Sequence, residues 1–293
     1  MKITFKTDNK DIVGVGKYSL TTQMKVRQSI LKVVNQLIQK YKLSSLNEVV
    51  VYKLKDCKTE LGRVYKTLNN KIPKTVLYIS DLSVTQIMHG ELYSQGYHTF
   101  HHEVCHIKDF EAICEYMNGE LVSDGYKHPY TINSVFLTTG YGMFGEYIAY
   151  KNCYNTYDEK FENCDFDKKC AKYENIAYQL SYIQKQSIKI KDYIFNQTIK
   201  DINKILYFIC KYIGYYHASG NTMFLSDLTS IKNNNLINFV YRVEEKLKSL
   251  NDIYPSCISY DNYVDVGRLF LSLFDGYDLH LVEEDGHIFF KSS

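Results

Sequence analysis

Tryptophan is absent from this chain of 293 residues, and proline occurs only 3 times. Proline breaks helices by removing a backbone donor and clashing with the preceding turn, so its scarcity favours a helix-rich architecture. No apolar run is long enough to cross a bilayer: the longest, Ile205 to Cys210, is followed at once by Lys211. The opening residues, Met1-Lys-Ile-Thr-Phe-Lys-Thr-Asp, lack the apolar core and small-residue cleavage site of a secretory signal. No charge of one sign dominates; the formal net charge is +2, and nothing global points to nucleic acid or to an anionic membrane. The 8 cysteines include no CxxC pair, and a chain of this size needs no disulfide framework, so reduced thiols are expected. Together these absences predict a soluble, cytoplasmic protein with no membrane partner and no nucleic-acid partner.

What is present is ordinary in bulk and skewed in detail. Hydrophobic residues make up 45% and charged residues 23%, enough to bury one large domain or two small ones. There are 28 tyrosines, with many Ile, Lys and Asn, the imprint of an AT-rich genome. Apolar residues from Tyr18 to Tyr41 recur at helical spacing and predict an amphipathic helix over 17–42. Residues 49–54 read as a strand, and 63–68 and 75–79, on either side of Asn69-Asn70, as a hairpin or two neighbouring strands, so a small sheet precedes the next helix. Residues 118–139, rich in Gly, Ser, Asp and Thr, read as a loop. Beyond residue 167 the pattern is helical over 168–190, 193–216, 233–253 and 261–275, with a loop around Gly220 to Ser230 and a terminal hairpin turning at Asp285-Gly286. The predicted class is α+β and mainly helical, with one domain over 1–160 and a helical C-terminal region over 161–293.

The chemistry concentrates in Thr99-Phe-His-His-Glu-Val-Cys-His-Ile-Lys-Asp109. His102, Glu103 and His106 form an HExxH arrangement, in which imidazoles four apart on a helix can share one Zn²⁺ with the carboxylate beside it. Phe100, Val104, Ile107 and Ile113 repeat at helical spacing, giving an apolar face for burial and a polar face carrying His102, His106 and Asp109. Asp109, one turn beyond His106, is placed to hold the far nitrogen of a ligating ring. Cys105 faces away from the metal and reads as a packing residue. His101 points about 100° from His102 and reads as a rim or capping residue.

A catalytic zinc site usually has three protein ligands. Glu146, near the start of a second helical stretch with the small Ala149 one turn later, is the candidate third; Glu111, Glu120, Asp124 and His128 are rivals. An oxyanion donor is also needed, and Tyr130, Tyr141, Tyr147, Tyr150 and the Tyr215-Tyr216-His217 run all qualify by position.

His102-Glu103-x-x-His106 followed about forty residues later by Glu146-x-x-Ala149 resembles the gluzincin group of zinc metallopeptidases, in particular compact intracellular forms from bacteria and their mobile elements. The resemblance covers about residues 45–158. It implies a zincin-like domain with a small sheet over the HExxH helix, whose edge strand can pair with an extended substrate. It also implies His102, His106 and Glu146 as zinc ligands, with Glu103 activating the zinc-bound water to hydrolyse a peptide bond. The implied partner is a protein or peptide, such as a repressor. Nothing after residue 160 matches a peptidase pattern. A non-catalytic binding or assembly protein that keeps the scaffold and metal site is the alternative, and a zinc hydrolase acting on a non-peptide amide is a third.

Overall fold

A computed structural model of the chain describes residues 1–6, 11–12, 16–17, 20–52, 61–88, 95–156, 163–220 and 234–292. It is mainly helical, with a small mixed sheet and a helical C-terminal region. The chain divides into two compact units, one of Met1–Tyr126 with Asn152–Glu159 and one of Lys127–Lys151 with Lys160–Ser293.

In the first unit β1 (Lys2–Lys6) is followed by the short pair β2 (Asp11–Ile12) and β3 (Gly16–Lys17), then α1 (Leu20–Tyr41), β4 (Leu46–Tyr52), β5 (Gly62–Asn69) and β6 (Ile72–Ser80). The sheet order is β1-β4-β6-β5, with β1, β4 and β6 parallel and β5 antiparallel on the edge. Side chains alternate across a strand, so Val49 and Val51 of β4 and Leu77 and Ile79 of β6 share one face. That face packs against Val26, Ile30, Val34 and Leu37, the apolar stripe of α1. The β5–β6 turn falls on Asn70 and Lys71, both at positive φ, one residue later than the sequence suggested because Asn69 still pairs with Ile72. Residues 53 and 54 of the expected strand lie outside the described residues.

Two further helices complete the unit, α2 (Asp81–Met88) and α3 (Gln95–Tyr116). No periodicity reading found α2, yet its start is signalled locally: the Ser80 hydroxyl accepts the Ser83 N–H at 3.2 Å, an N-terminal cap. α3 lays Phe100, Val104 and Ile107 on the same core as the sheet.

The second unit holds α4 (Ile132–Cys153, whose last two residues belong to the first unit), α5 (Asn163–Tyr182), α6 (Ile188–Ser219), α7 (Asn234–Ile253), α8 (Tyr260–Arg268) and the hairpin of β7 (Leu279–Glu284) and β8 (His287–Ser292). The hairpin turns at Asp285 and Gly286, both at positive φ, as the sequence indicated. The expected loop after Gly220 falls at 221–233, outside the described residues. One expectation fails: α4 begins at Ile132, inside the segment assigned to a loop over 118–139. The misread residues 132–139 hold no glycine; their Asn, Ser and Thr misled the reading, for inside the helix Thr138 turns its hydroxyl back onto the Ser134 carbonyl at 2.9 Å. A Cβ on Gly140 would stand 1.8 Å from the Tyr263 carbonyl oxygen, and one on Gly267 would stand 1.9 Å from that of Phe136, so α4 and α8 cross backbone to backbone.

The terminal hairpin is tied down by Asp192 of α6. Its carboxylate accepts the Tyr130 hydroxyl at 2.6 Å and the Ile288 N–H at 3.0 Å, and lies 3.2 Å from His287 Nδ1. Burial raises the Asp192 pKa, but the hydrogen bonds from Tyr130, His287 and Ile288 outweigh it and hold the carboxyl below its usual range.

Two outcomes are expected. Gly140→Ala and Gly267→Ala should each lower stability by about 1–3 kcal/mol through overpacking, read as a fall in urea midpoint at unchanged slope. Asp192→Asn should cost about 1–3 kcal/mol at neutral pH. Because the folded pKa lies below the unfolded one, Asp192 stabilises fully above the unfolded value, and this is lost as pH falls through the folded value. The gap between variant and wild type should therefore close below about pH 4, measured by urea unfolding at pH 7 and pH 3.

Candidate metal centre

α3 was expected to bury an apolar face and to carry His102, His106 and Asp109 on a polar one. Both faces are largely buried: besides the apolar stripe, His98, Thr99, His101, His102, Glu103 and Asp109 are all below a tenth exposed. The polar side chains are thus enclosed with the helix, and each needs a polar or ionic partner to offset its lost hydration.

His102 and His106 are brought together, their Nε2 atoms 3.1 Å apart and their rings edge-to-face at 89°. Two nitrogens bound about 2.0–2.1 Å from one tetrahedral zinc lie about 3.3 Å apart, so the pair fits a shared ion with little adjustment. The stripe continues back to His98, whose Nδ1 lies 3.0 Å from the Thr156 hydroxyl. Asp109 is 1% exposed, one turn beyond His106 on the same helix.

Glu103 lies beneath the edge strand. A Cβ on Gly62 of β5 would stand 2.8 Å from Glu103 Cγ and 2.8 Å from Thr99 Cγ2, so only glycine lets the strand pass this close. The backbone of that edge is also oriented. Ser80 N–H donates to Leu61 O, so odd-numbered β5 residues pair with β6 and even-numbered ones turn their N–H and C=O outward. Lys66 bears this out, bonding Asp124 with both groups: its N–H donates to the carboxylate at 2.6 Å and its C=O accepts the Asp124 N–H.

Glu146 belongs to the second unit and sits well inside α4, not near its start, because the helix already begins at Ile132. Its Oε2 lies 3.4 Å from Lys211 Nζ of α6, with the carboxylate side chain 18% exposed. Burial first, and then the Glu146 charge, push the Tyr207 hydroxyl and the Cys210 thiol above their ordinary pKa. The rivals have other work. Glu111 Oε1 accepts the N–H groups of Ser44 and Ser45 at the start of β4, Asp124 holds the β5 edge, and Glu120 Oε2 lies 3.4 Å from Asn118 Nδ2 on the surface. His128 lies in the second unit, where burial lowers its pKa.

No family model, curated protein or solved structure matches the chain. Its own side chains must carry the functional assignment.

A second cluster went unread in the sequence. His101 is 1% exposed, so it is neither a rim nor a capping residue: Tyr41 of α1 covers it, with the hydroxyl 2.6 Å from His101 Nε2. Burial, then the charge of Lys40 and then His98, hold its pKa down to about 3, keeping the ring neutral. Cys105 Sγ lies 3.8 Å from the sulfur of Cys153, the last residue of α4, and 3.6 Å from the Tyr41 hydroxyl. Half of this signal was legible, since His101 and Cys105 repeat the spacing of His102 and His106; nothing in the sequence pairs Cys105 with Cys153.

Several tyrosines considered as oxyanion donors have other partners. Tyr147 OH lies 3.0 Å from His217 Nδ1, whose Nε2 lies 3.0 Å from Glu244. Tyr130 bonds Asp192, and Tyr141 packs edge-on against Tyr263.

Gly62→Val should push β5 away from Glu103 and Thr99 and cost about 1–3 kcal/mol, measured by urea unfolding.

Proposed function

We propose that this protein is a cytoplasmic zinc metallopeptidase of gluzincin type. His102, His106 and Glu146 hold the ion, Glu103 is the general base and Asp109 holds the His106 ring. The observation that carries this reading is the convergence of two imidazole nitrogens to 3.1 Å on a helix whose intervening carboxylate, Glu103, is buried beside them.

Glu111 and Asp124 are already committed to backbone N–H groups, which favours Glu146 as third ligand.

Bound by these side chains, Zn²⁺ would polarise the scissile carbonyl and lower the pKa of water towards neutrality. Glu103 takes the proton of the attacking water and passes it to the leaving amine, a role that its enclosure beneath β5 favours by keeping bulk water out. The edge of β5 supplies the substrate platform. With outward N–H and C=O groups at Gly62 and Val64, next to Glu103, it can add an extended peptide as another strand, which favours a peptide bond in a protein partner over other amides.

One observation favours the binding or assembly protein instead: Lys211, 3.4 Å from Glu146 Oε2, already supplies that carboxylate with a cation of the chain's own.

Elemental mass spectrometry on wild type, His106→Ala and Glu146→Ala, with Glu103→Gln alongside, separates the two. The peptidase reading expects bound zinc lost or sharply weakened in the first two variants. In Glu103→Gln it expects zinc retained and turnover down by at least about 10²-fold. Zinc retained in Glu146→Ala would move the third ligand elsewhere, and turnover unaffected by Glu103→Gln would overturn the mechanism.

A further inference from the structure

We propose that His101, Cys105 and Cys153 form a second metal site, specific for a thiophilic cation such as Zn²⁺ and separate from the His102–His106 pair. One ring nitrogen of His101 and the two sulfurs all lie within 4.8 Å of one another, and all three residues are buried. They belong to the same compact unit.

The spacing fits an ion. Two sulfurs bound about 2.3 Å from a tetrahedral zinc are held about 3.8 Å apart. The sulfurs of Cys105 and Cys153 are 3.8 Å apart. The Tyr41 hydroxyl stands 3.6 Å from Cys105 Sγ and 2.6 Å from His101 Nε2, a support that fixes the ring beside the sulfurs. The imidazole has a nitrogen to give: Nε2 is held by Tyr41 and, more distantly, by Lys40 at 3.4 Å, while Nδ1 is buried with no hydrogen-bond partner among the described residues. A ring anchored at one nitrogen and open at the other is the usual state of a metal-ligating histidine.

The donor set decides the class of cation. Two sulfurs and an imidazole select zinc or copper(I) over magnesium or calcium, which take oxygen ligands. On binding Zn²⁺ each thiol becomes a thiolate and its proton passes to solvent; no electron is transferred. The two thiolates neutralise the ion's charge, which lets it sit in a buried site. Its position makes it a clamp: it would fasten the end of α4 to the middle of α3, one residue from each histidine of the HExxH pair. Every ligand differs from those proposed for the catalytic ion.

Cobalt(II) is the probe, because thiolate ligation gives a near-ultraviolet charge-transfer band that imidazole and carboxylate ligands cannot produce. Titrating cobalt into the reduced, metal-free wild-type chain should produce this band. It should vanish in Cys105→Ser and Cys153→Ser and persist in His106→Ala. Zinc content should fall from about two ions per chain in wild type to about one in either kind of variant. Absence of the band in wild type overturns the proposal, as does its survival in both serine variants, and so does a Cys105–Cys153 disulfide whose reduction yields no cobalt band. The wild-type titration needs no variant, so a serine variant that fails to fold leaves the test intact. A thiolate band without zinc loss in His106→Ala would support this site while removing the catalytic one, and the reverse pattern would do the opposite.

Discussion

A helix buried on every side must find a partner for each polar group it carries, and α3 is such a helix. Its apolar stripe meets the sheet and α1 in one core, which alone would hold it in place. The polar side is enclosed as well, with His98, His101, His102, Glu103 and Asp109 all withdrawn from water. An isolated buried charge costs several kcal/mol, so buried imidazoles and carboxylates persist where they pair with each other or with an ion. The remaining features of the first unit follow from that constraint: Gly62 gives room to Glu103, Tyr41 covers His101, Thr156 meets His98, and the sulfur of Cys153 comes to rest on that of Cys105.

Much of this was legible because periodicity reports burial. The stripe from Val26 to Leu37, the strand through Val49 to Val51, the β5–β6 hairpin and the terminal turn at Asp285-Gly286 each show a strong local pattern, and each folded accordingly. The start of α4 was hidden by chemistry that looks the same in loops and in close-packed helices. Asn133, Ser134, Thr138 and Thr139 are written like loop residues, yet within the helix the Ser134 and Thr138 hydroxyls bond carbonyls three or four residues back. The placement of Glu146 was misjudged for that reason. His101 was misjudged for another: a helical wheel gives angles between side chains but not how many neighbours surround the helix, so a position 100° from a ligand could be rim or core until α1 was seen to cover it.

The geometry of α3 also explains why two donor sets can coexist on it without sharing a ligand. Residues four apart stack on one stripe, and neighbouring residues diverge by about 100°. The pairs His101/Cys105 and His102/His106 therefore define two parallel edges of one helix, aimed at different surroundings. The first edge faces sulfur and a phenol, which suits a cation held permanently. The second carries only nitrogen donors and lies beside a carboxylate, which suits a cation that must also bind water and substrate. Chemical hardness thus separates the two edges more firmly than distance does. A helix fixed by a sulfur-bound ion on one side would hold the histidine pair on the other in the rigid geometry that general-base hydrolysis requires.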